Sequence, residues 1–171
     1  MTASNSLPTR VLFICLGNIC RSVAAEAVFR EMAEAAGCGE TVTADSAGLI
    51  DCHEGELADP RMRRHAAARG YRLTHRSRPV CRKDFDRFDL IVVMDTSNER
   101  GLRAIAPSPE AMKKVVHLTD YLTAHKADSV PDPYYGDDSA FEHVLDLLED
   151  ACAGLLDTLH QQAETGRHAD V

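Results

Sequence analysis

The sequence predicts an α/β fold: a single domain built on a doubly wound sheet of four parallel strands, with helices on both faces. Three observations carry that expectation. Apolar runs at residues 11–14 and 90–94 show no polar alternation, as strands covered on both faces require. Stretches with helical spacing lie between the strand-like runs, as right-handed crossovers between parallel strands demand. The length, 171 residues with 44% hydrophobic content, suits one sizeable core and is short for two. The domain is expected to span 1–171, with its core at about 9–161 and flexible ends at 1–8 and 162–171.

The elements follow in order. Residues 11–14 form the first strand, and Cys15-Leu16-Gly17-Asn18-Ile19-Cys20-Arg21-Ser22 a tight loop that opens a helix. That helix, over 22–36, places Ala24, Val28, Met32 and Ala35 at three-to-four spacing, and Gly37 ends it. Residues 41–45 alternate as a second strand leading to Ser46-Ala47-Gly48. After a loop over 49–59, Asp59 reads as the N-cap and Pro60 as the first residue of a helix reaching Arg69. The third strand, 90–94, ends at Asp95, and Thr96-Ser97-Asn98-Glu99 reads as a capped helix start. A turn at 107–109 precedes a fourth strand at 114–118. Residues 128–138, rich in Asp, Pro, Tyr and Gly, read as a surface loop. The last helix, over 139–161, turns Phe141, Val144, Leu145, Leu148, Cys152, Leu155 and Leu159 toward the sheet. In such a sheet, ligand loops lie at the carboxyl ends of the strands. This edge would collect the loop after the first strand, Ser46, Asp95 and the segment holding Asp132.

Composition excludes several classes. A net charge of −8 argues against a nucleic-acid partner. No basic-then-apolar leader and no apolar run near ~18 residues is present, so a cytoplasmic protein without a membrane partner is expected. The six cysteines form no Cys-x-x-Cys pair, so no metal is expected, and no cofactor either. Ten of the 19 Lys and Arg residues fall between Arg61 and Arg87, where a solvated face is the expected reading.

The loop after the first strand carries the chemistry. Gly17-Asn18 tolerates left-handed backbone, so successive amide N–H groups can turn inward as an anion nest, reinforced by the helix N-terminus. A phosphate monoester there would accept hydrogen bonds from those amides and from the Arg21 fork, with Cys15 beneath phosphorus for in-line attack. Such surroundings lower a thiol pKa to about 3.5–7.5, and Ser22 is placed to donate to the sulfur.

At these residues the chain resembles the low-molecular-weight protein tyrosine phosphatases. Further matching segments are Asp45-Ser46-Ala47-Gly48, Asp59-Pro60-Arg61, His75-Arg76-Ser77-Arg78, Phe88-Asp89-Leu90 through Met94-Asp95, and Asp132-Pro133-Tyr134-Tyr135-Gly136. The resemblance implies strand order 2-1-3-4 and hydrolysis of phosphotyrosine in proteins or of small aryl phosphates by a monomer or weak dimer. It makes Asp132 the general acid and base, places Tyr134 and Tyr135 at the pocket mouth, and makes Asn18, Ser46 and His75 supports of the loop. Asp95 would brace the loop or cap the following helix. Two departures stand out. Val23 replaces the family's usual Pro, and Cys52 occupies a position often aromatic on the pocket wall, which predicts a raised KM for aryl phosphates. Some members use a neighbour such as Cys20 to trap an oxidised nucleophile as a disulfide. The related thioredoxin-type arsenate reductases need a relay of resolving thiols. Cys81 lies in the corresponding region, but the residue seven further on is Phe88.

Overall fold

The computed structural model describes residues 7–169; the expectation for the N-terminal end falls mostly outside these residues. Five helices surround a four-stranded sheet: β1 Thr9–Cys15, α1 Arg21–Ala35, β2 Val42–Gly48, α2 Pro60–Ala68, α3 Asp84–Arg87, β3 Leu90–Val93, α4 Thr96–Ile105, β4 Val115–His117 and α5 Asp138–Ala169. All pairings are parallel and the order is β2-β1-β3-β4.

β1 is central, and the period of two decides where its side chains go. Val11, Phe13 and Cys15 join Val92 and Met94 in a core with α1 and α5, while Leu12 and Ile14 join Ile91, Val93, Phe85 and Leu102 on the opposite face. Cys15 thus emerges at the carboxyl end of β1, beside β3, at the point where the chain switches from one side of the sheet to the other.

Several expected boundaries shift. β2 continues through Ser46, Ala47 and Gly48, because the ladder with β1 runs unbroken from Thr9↔Val42 to Cys15↔Gly48 and overrides the weak strand preference of these residues. On α1 the buried face is broader than the expected stripe: Ala25, Phe29 and Ala33 are buried, whereas Ala35, in the last turn, is exposed. β4 is shortened by 3-10 turns on both sides. α5 runs past the expected end at Gln161 to Ala169, so the segment after 161, expected as a flexible end, is helical through Ala169.

α3, one turn long, has no period to reveal it. Its Phe85 is buried against the sheet, and its fully buried Asp84 accepts both terminal nitrogens of Arg78, at 3.0 and 3.1 Å, and the Cys81 N–H at 2.9 Å.

Much of the basic segment is tied down rather than merely solvated. Arg69 reaches Glu142, Asp146 and Glu149 on α5; His65 bonds Glu142 and Asp138, and Arg64 pairs with Asp138. The acidic face of α5 is therefore the partner of α2.

Candidate active site

The loop between β1 and α1 is held in shape by one side chain more than any other. Asn18 has φ 56°, the left-handed backbone expected of the Gly-Asn pair. Its Nδ2 donates to Ser22 Oγ at 2.8 Å and Ser46 Oγ at 3.0 Å, while its Oδ1 accepts the Arg78 N–H at 3.1 Å and lies 3.1 Å from His75 Nε2. Ser77 Oγ adds a bond to Gly17 O at 3.1 Å. Gly48 ends β2 directly beneath, where a Cβ would lie 2.9 Å from Leu16 O. So only glycine lets strand and loop meet this closely.

With the loop pinned from outside, its own amides are free. Among the described residues, none of the backbone N–H groups of Leu16 to Cys20 donates a hydrogen bond, and no side chain caps α1. Unpaired donors at a helix N-terminus form an anion site. Cys15 is 3% exposed, and its Sγ lies 2.9 Å from Ser22 Oγ.

Arg21 opens α1 yet is buried, where a cation opposes the helix dipole. The fold compensates: its NH1 donates to Asp95 Oδ2 at 2.8 Å and to Val130 O at 3.0 Å, leaving NH2 facing Asp132 Oδ2 at 3.6 Å. Asp95 also caps α4, its Oδ1 accepting the Asn98 N–H at 2.8 Å. Of the two roles expected for it, Asp95 fills both.

A cavity of about 250 Å³ opens over this loop. Loop residues Cys15, Leu16, Gly17, Ile19, Cys20 and Arg21 line it, together with Ile50, Cys52, His53, Asp132, Tyr134 and Tyr135. Every residue expected in the pocket is on this lining; Asn18, Ser46 and His75, expected as supports, and Ser22, expected to donate to the sulfur, are not. Asp132 is half-exposed, its Oδ1 accepting the Tyr134 N–H at 3.1 Å. Tyr134 and Tyr135 meet edge to face, with centroids 4.9 Å apart. Cys52 is exposed at the mouth, beside His53 on the lining.

Residues without a sequence signal complete the site. His53 lies against Gly17, where a Cβ would sit 3.3 Å from His53 Cδ2, and Glu56 holds its Nδ1 at 2.8 Å. Arg61, quoted in a matching segment without a role, donates through NH2 to Tyr134 O and to Asp59 Oδ2, both at 2.9 Å, and its guanidinium lies over the rings of Phe141 and Tyr134. It couples the start of α2 to the loop carrying Asp132.

Burial, then Asp59 and Cys15, pushes the Cys20 thiol well above the ordinary thiol range. Behind the loop, burial raises the Glu26 carboxyl to about 7 and lowers the His75 imidazole.

A cysteine under free amides at a strand-to-helix junction, a buried arginine closing the ring and a carboxylate across the mouth make this an anion pocket of the kind that handles phosphate esters. Comparison with known proteins places it more narrowly. The family model of the low molecular weight phosphotyrosine protein phosphatases matches residues 10–165. A low molecular weight protein-tyrosine-phosphatase of Streptomyces coelicolor is 47% identical over 162 residues, covering 94% of this chain and 98% of that protein. The low molecular weight phosphotyrosine protein phosphatase of Homo sapiens is 37% identical over 154 residues, covering 88% and 95%. The crystal structure of a protein tyrosine phosphatase from Entamoeba histolytica, with Hepes in the active site, superposes with a TM-score of 0.87 at 42% identity, covering 91% of this chain and 99% of that one. The chain belongs to the low molecular weight protein-tyrosine-phosphatase family of enzymes. Among the described residues, no helix is long and apolar enough to cross a membrane.

Proposed function

We propose that this chain hydrolyses phosphotyrosine in proteins, and small aryl phosphates, through a phosphocysteine intermediate on Cys15. The observation that supports the reading is that the Cys15 sulfur, 2.9 Å from Ser22 Oγ, heads a loop whose amides from Leu16 to Cys20 donate no hydrogen bond among the described residues, and that Cys15 lines one cavity with Arg21 and Asp132. The Cys15 thiolate attacks phosphorus in line, and the S–P bond forms as the P–O bond to the aryl group breaks. Asp132 gives its proton to the departing oxygen. The loop amides and Arg21 hold the charge of the transferring group. Asp132, now a carboxylate, takes a proton from water, which attacks phosphorus; the S–P bond breaks and inorganic phosphate leaves.

Rapid-quench kinetics and leaving-group dependence test this. Cys15→Ser is expected to abolish turnover. Asp132→Asn is expected to lose about 10²–10⁴-fold with poor leaving groups such as phenol, and much less with p-nitrophenol, which needs no proton. An Asp132→Asn loss independent of the leaving group, or no phosphorylated Cys15 in quenched wild-type enzyme, refutes the mechanism.

A further inference from the structure

The segment that carries Asp132 is anchored at its two ends. Val130 donates its N–H to Met94 O at 2.9 Å and accepts Arg21 NH1 at 3.0 Å, and at Asp138 the chain enters α5, where Arg64 and His65 bond the Asp138 carboxylate. From Pro131 to Gly136 two hydrogen bonds stay within the segment: Tyr134 N–H to Asp132 Oδ1 at 3.1 Å, and Gly136 N–H to Pro133 O at 2.8 Å. Arg21 NH2, 3.6 Å from Asp132 Oδ2, is beyond hydrogen-bond reach. Among the described residues, a single hydrogen bond enters this stretch from outside, the one from Arg61 NH2 to Tyr134 O at 2.9 Å.

Arg61 meets the stretch a second time through its charge. The guanidinium carbon lies 5.5 Å from the centroid of the Tyr134 ring and 4.7 Å from that of Phe141 on α5, within cation–π range of both. With its carbonyl and its ring held, Tyr134 has little freedom to swing the N–H that meets Asp132 Oδ1. An N–H is met best by a carbonyl oxygen, so in the protonated acid the hydrogen falls to Oδ2, the oxygen on the Arg21 side.

The other side of Arg61 leads to the phosphate loop. Asp59 grips the guanidinium with both oxygens, Oδ1 accepting from Nε at 3.1 Å and Oδ2 from NH2 at 2.9 Å, a fork that fixes the plane of the group. NH2 has two hydrogens, and it gives one to Asp59 and one to Tyr134 O. Asp59 in turn donates its own N–H to Ile19 O at 2.8 Å, inside the loop between β1 and α1. Its place as N-cap of α2, with Pro60 next, leaves the backbone there little play. A continuous path therefore runs from Ile19 through Asp59 and Arg61 to Tyr134 and Asp132. It joins the phosphate site to the carboxyl across from it, and neither Asp59 nor Arg61 lines the cavity.

We propose that Arg61 is a positioning residue for the proton-transfer step, forming with Asp59 a strut that sets where Asp132 stands relative to the phosphate loop. This role rests on the reading of Asp132 as the general acid. A proton passes only over a short reach, about 2.6–3.2 Å between heavy atoms. The placement of Oδ2 therefore matters when the departing oxygen needs a proton, and hardly at all when it does not.

The test compares phenyl phosphate with p-nitrophenyl phosphate in wild type, Arg61→Met, Asp132→Asn and the double variant, each checked for folding by circular dichroism. Arg61→Met keeps much of the side-chain length and removes every donor. It is expected to lower kcat/KM about 10–30-fold for phenyl phosphate and less than about 3-fold for p-nitrophenyl phosphate, a part of the about 10²–10⁴-fold that a general acid supplies. In the Asp132→Asn background, where no acid proton remains to be aimed, the same substitution is expected to change kcat/KM for phenyl phosphate less than about 2-fold. If Arg61→Met does not fold, Arg61→Lys, which keeps the charge but loses the fork, is read by the same criteria in both backgrounds. Equal losses with the two esters, no loss with either, or the full loss repeated in the Asp132→Asn background overturns the proposal and leaves Arg61 a part of the framework alone. An Asp132→Asn loss that ignores the leaving group overturns the reading of Asp132, and this role of Arg61 with it.

Discussion

Replacing Asp95 by Asn strikes a carboxylate that the fold uses twice. One oxygen accepts the Asn98 N–H and caps α4; the other accepts Arg21 NH1, each at 2.8 Å. An amide has a single oxygen, so it satisfies one donor and turns its NH₂ on the other. If the oxygen stays at the cap, the nearly buried Arg21 loses a charged hydrogen bond worth about 1.5–3 kcal/mol. If it swings to Arg21, the cap is lost, at about 1 kcal/mol, and the bond that remains is to a neutral acceptor. Either way the cost is about 2–3 kcal/mol, which for a chain of this length lowers the thermal midpoint by about 4–12 °C. Val130 O still holds NH1 at 3.0 Å, so Arg21 stays in the site but is less firmly aimed. A loss of about 1.4–2.8 kcal/mol in the transition state is a fall of about 10–100-fold in kcat/KM. Differential scanning calorimetry and p-nitrophenyl phosphate kinetics read the two quantities. Wild-type midpoint together with wild-type kcat/KM in Asp95→Asn would show that the carboxylate neither caps nor braces, and would refute the reasoning.

Asp150 accepts the N–H groups of Thr123, Ala124 and His125 and the Thr123 hydroxyl. Burial pushes its carboxyl up, but the bonds from Thr123 and His125 outweigh this and hold it below the usual carboxylate range. With the folded value depressed, the stabilisation is complete above the unfolded value, about 3.9, and is lost as pH falls through the lower folded value. Asp150→Asn is expected to cost about 2 kcal/mol in urea unfolding near neutrality and markedly less near pH ~2–3; an equal cost at both would contradict it. Cys52→Trp, which restores an aromatic wall at the pocket mouth, is expected to lower KM for phosphotyrosine peptides several-fold with little change in kcat; an unchanged KM removes the stacking explanation. After peroxide, wild-type activity is expected to return with dithiothreitol, and Cys20→Ser to lose recoverable activity faster; equal recovery excludes Cys20 as the trapping thiol.

The chain's local grammar was enough to place the strands, most helices and the loop from Cys15 to Ser22. Each depends on neighbours in sequence: apolar runs, three-to-four spacing, a Gly-Asn turn, Asp59 before Pro60. The family resemblance added the strand order and the expectation that Asn18, Ser46 and His75 support the loop and that Asp132 handles the proton. What neither conveyed is which distant side chains meet. Asp95 is shared between Arg21 and a helix cap, Arg61 grips the loop holding Tyr134, and His53 lies on Gly17, by contacts that no periodicity encodes. The basic stretch read as a solvated face because its acidic partners lie some seventy residues away on α5. Ser46 became part of a strand because β1 supplied a ladder to pair with. Short-range preferences are written residue by residue and can be read from them. A hydrogen bond across the fold exists only once packing has brought donor and acceptor within about 3 Å, and that distance belongs to the tertiary structure.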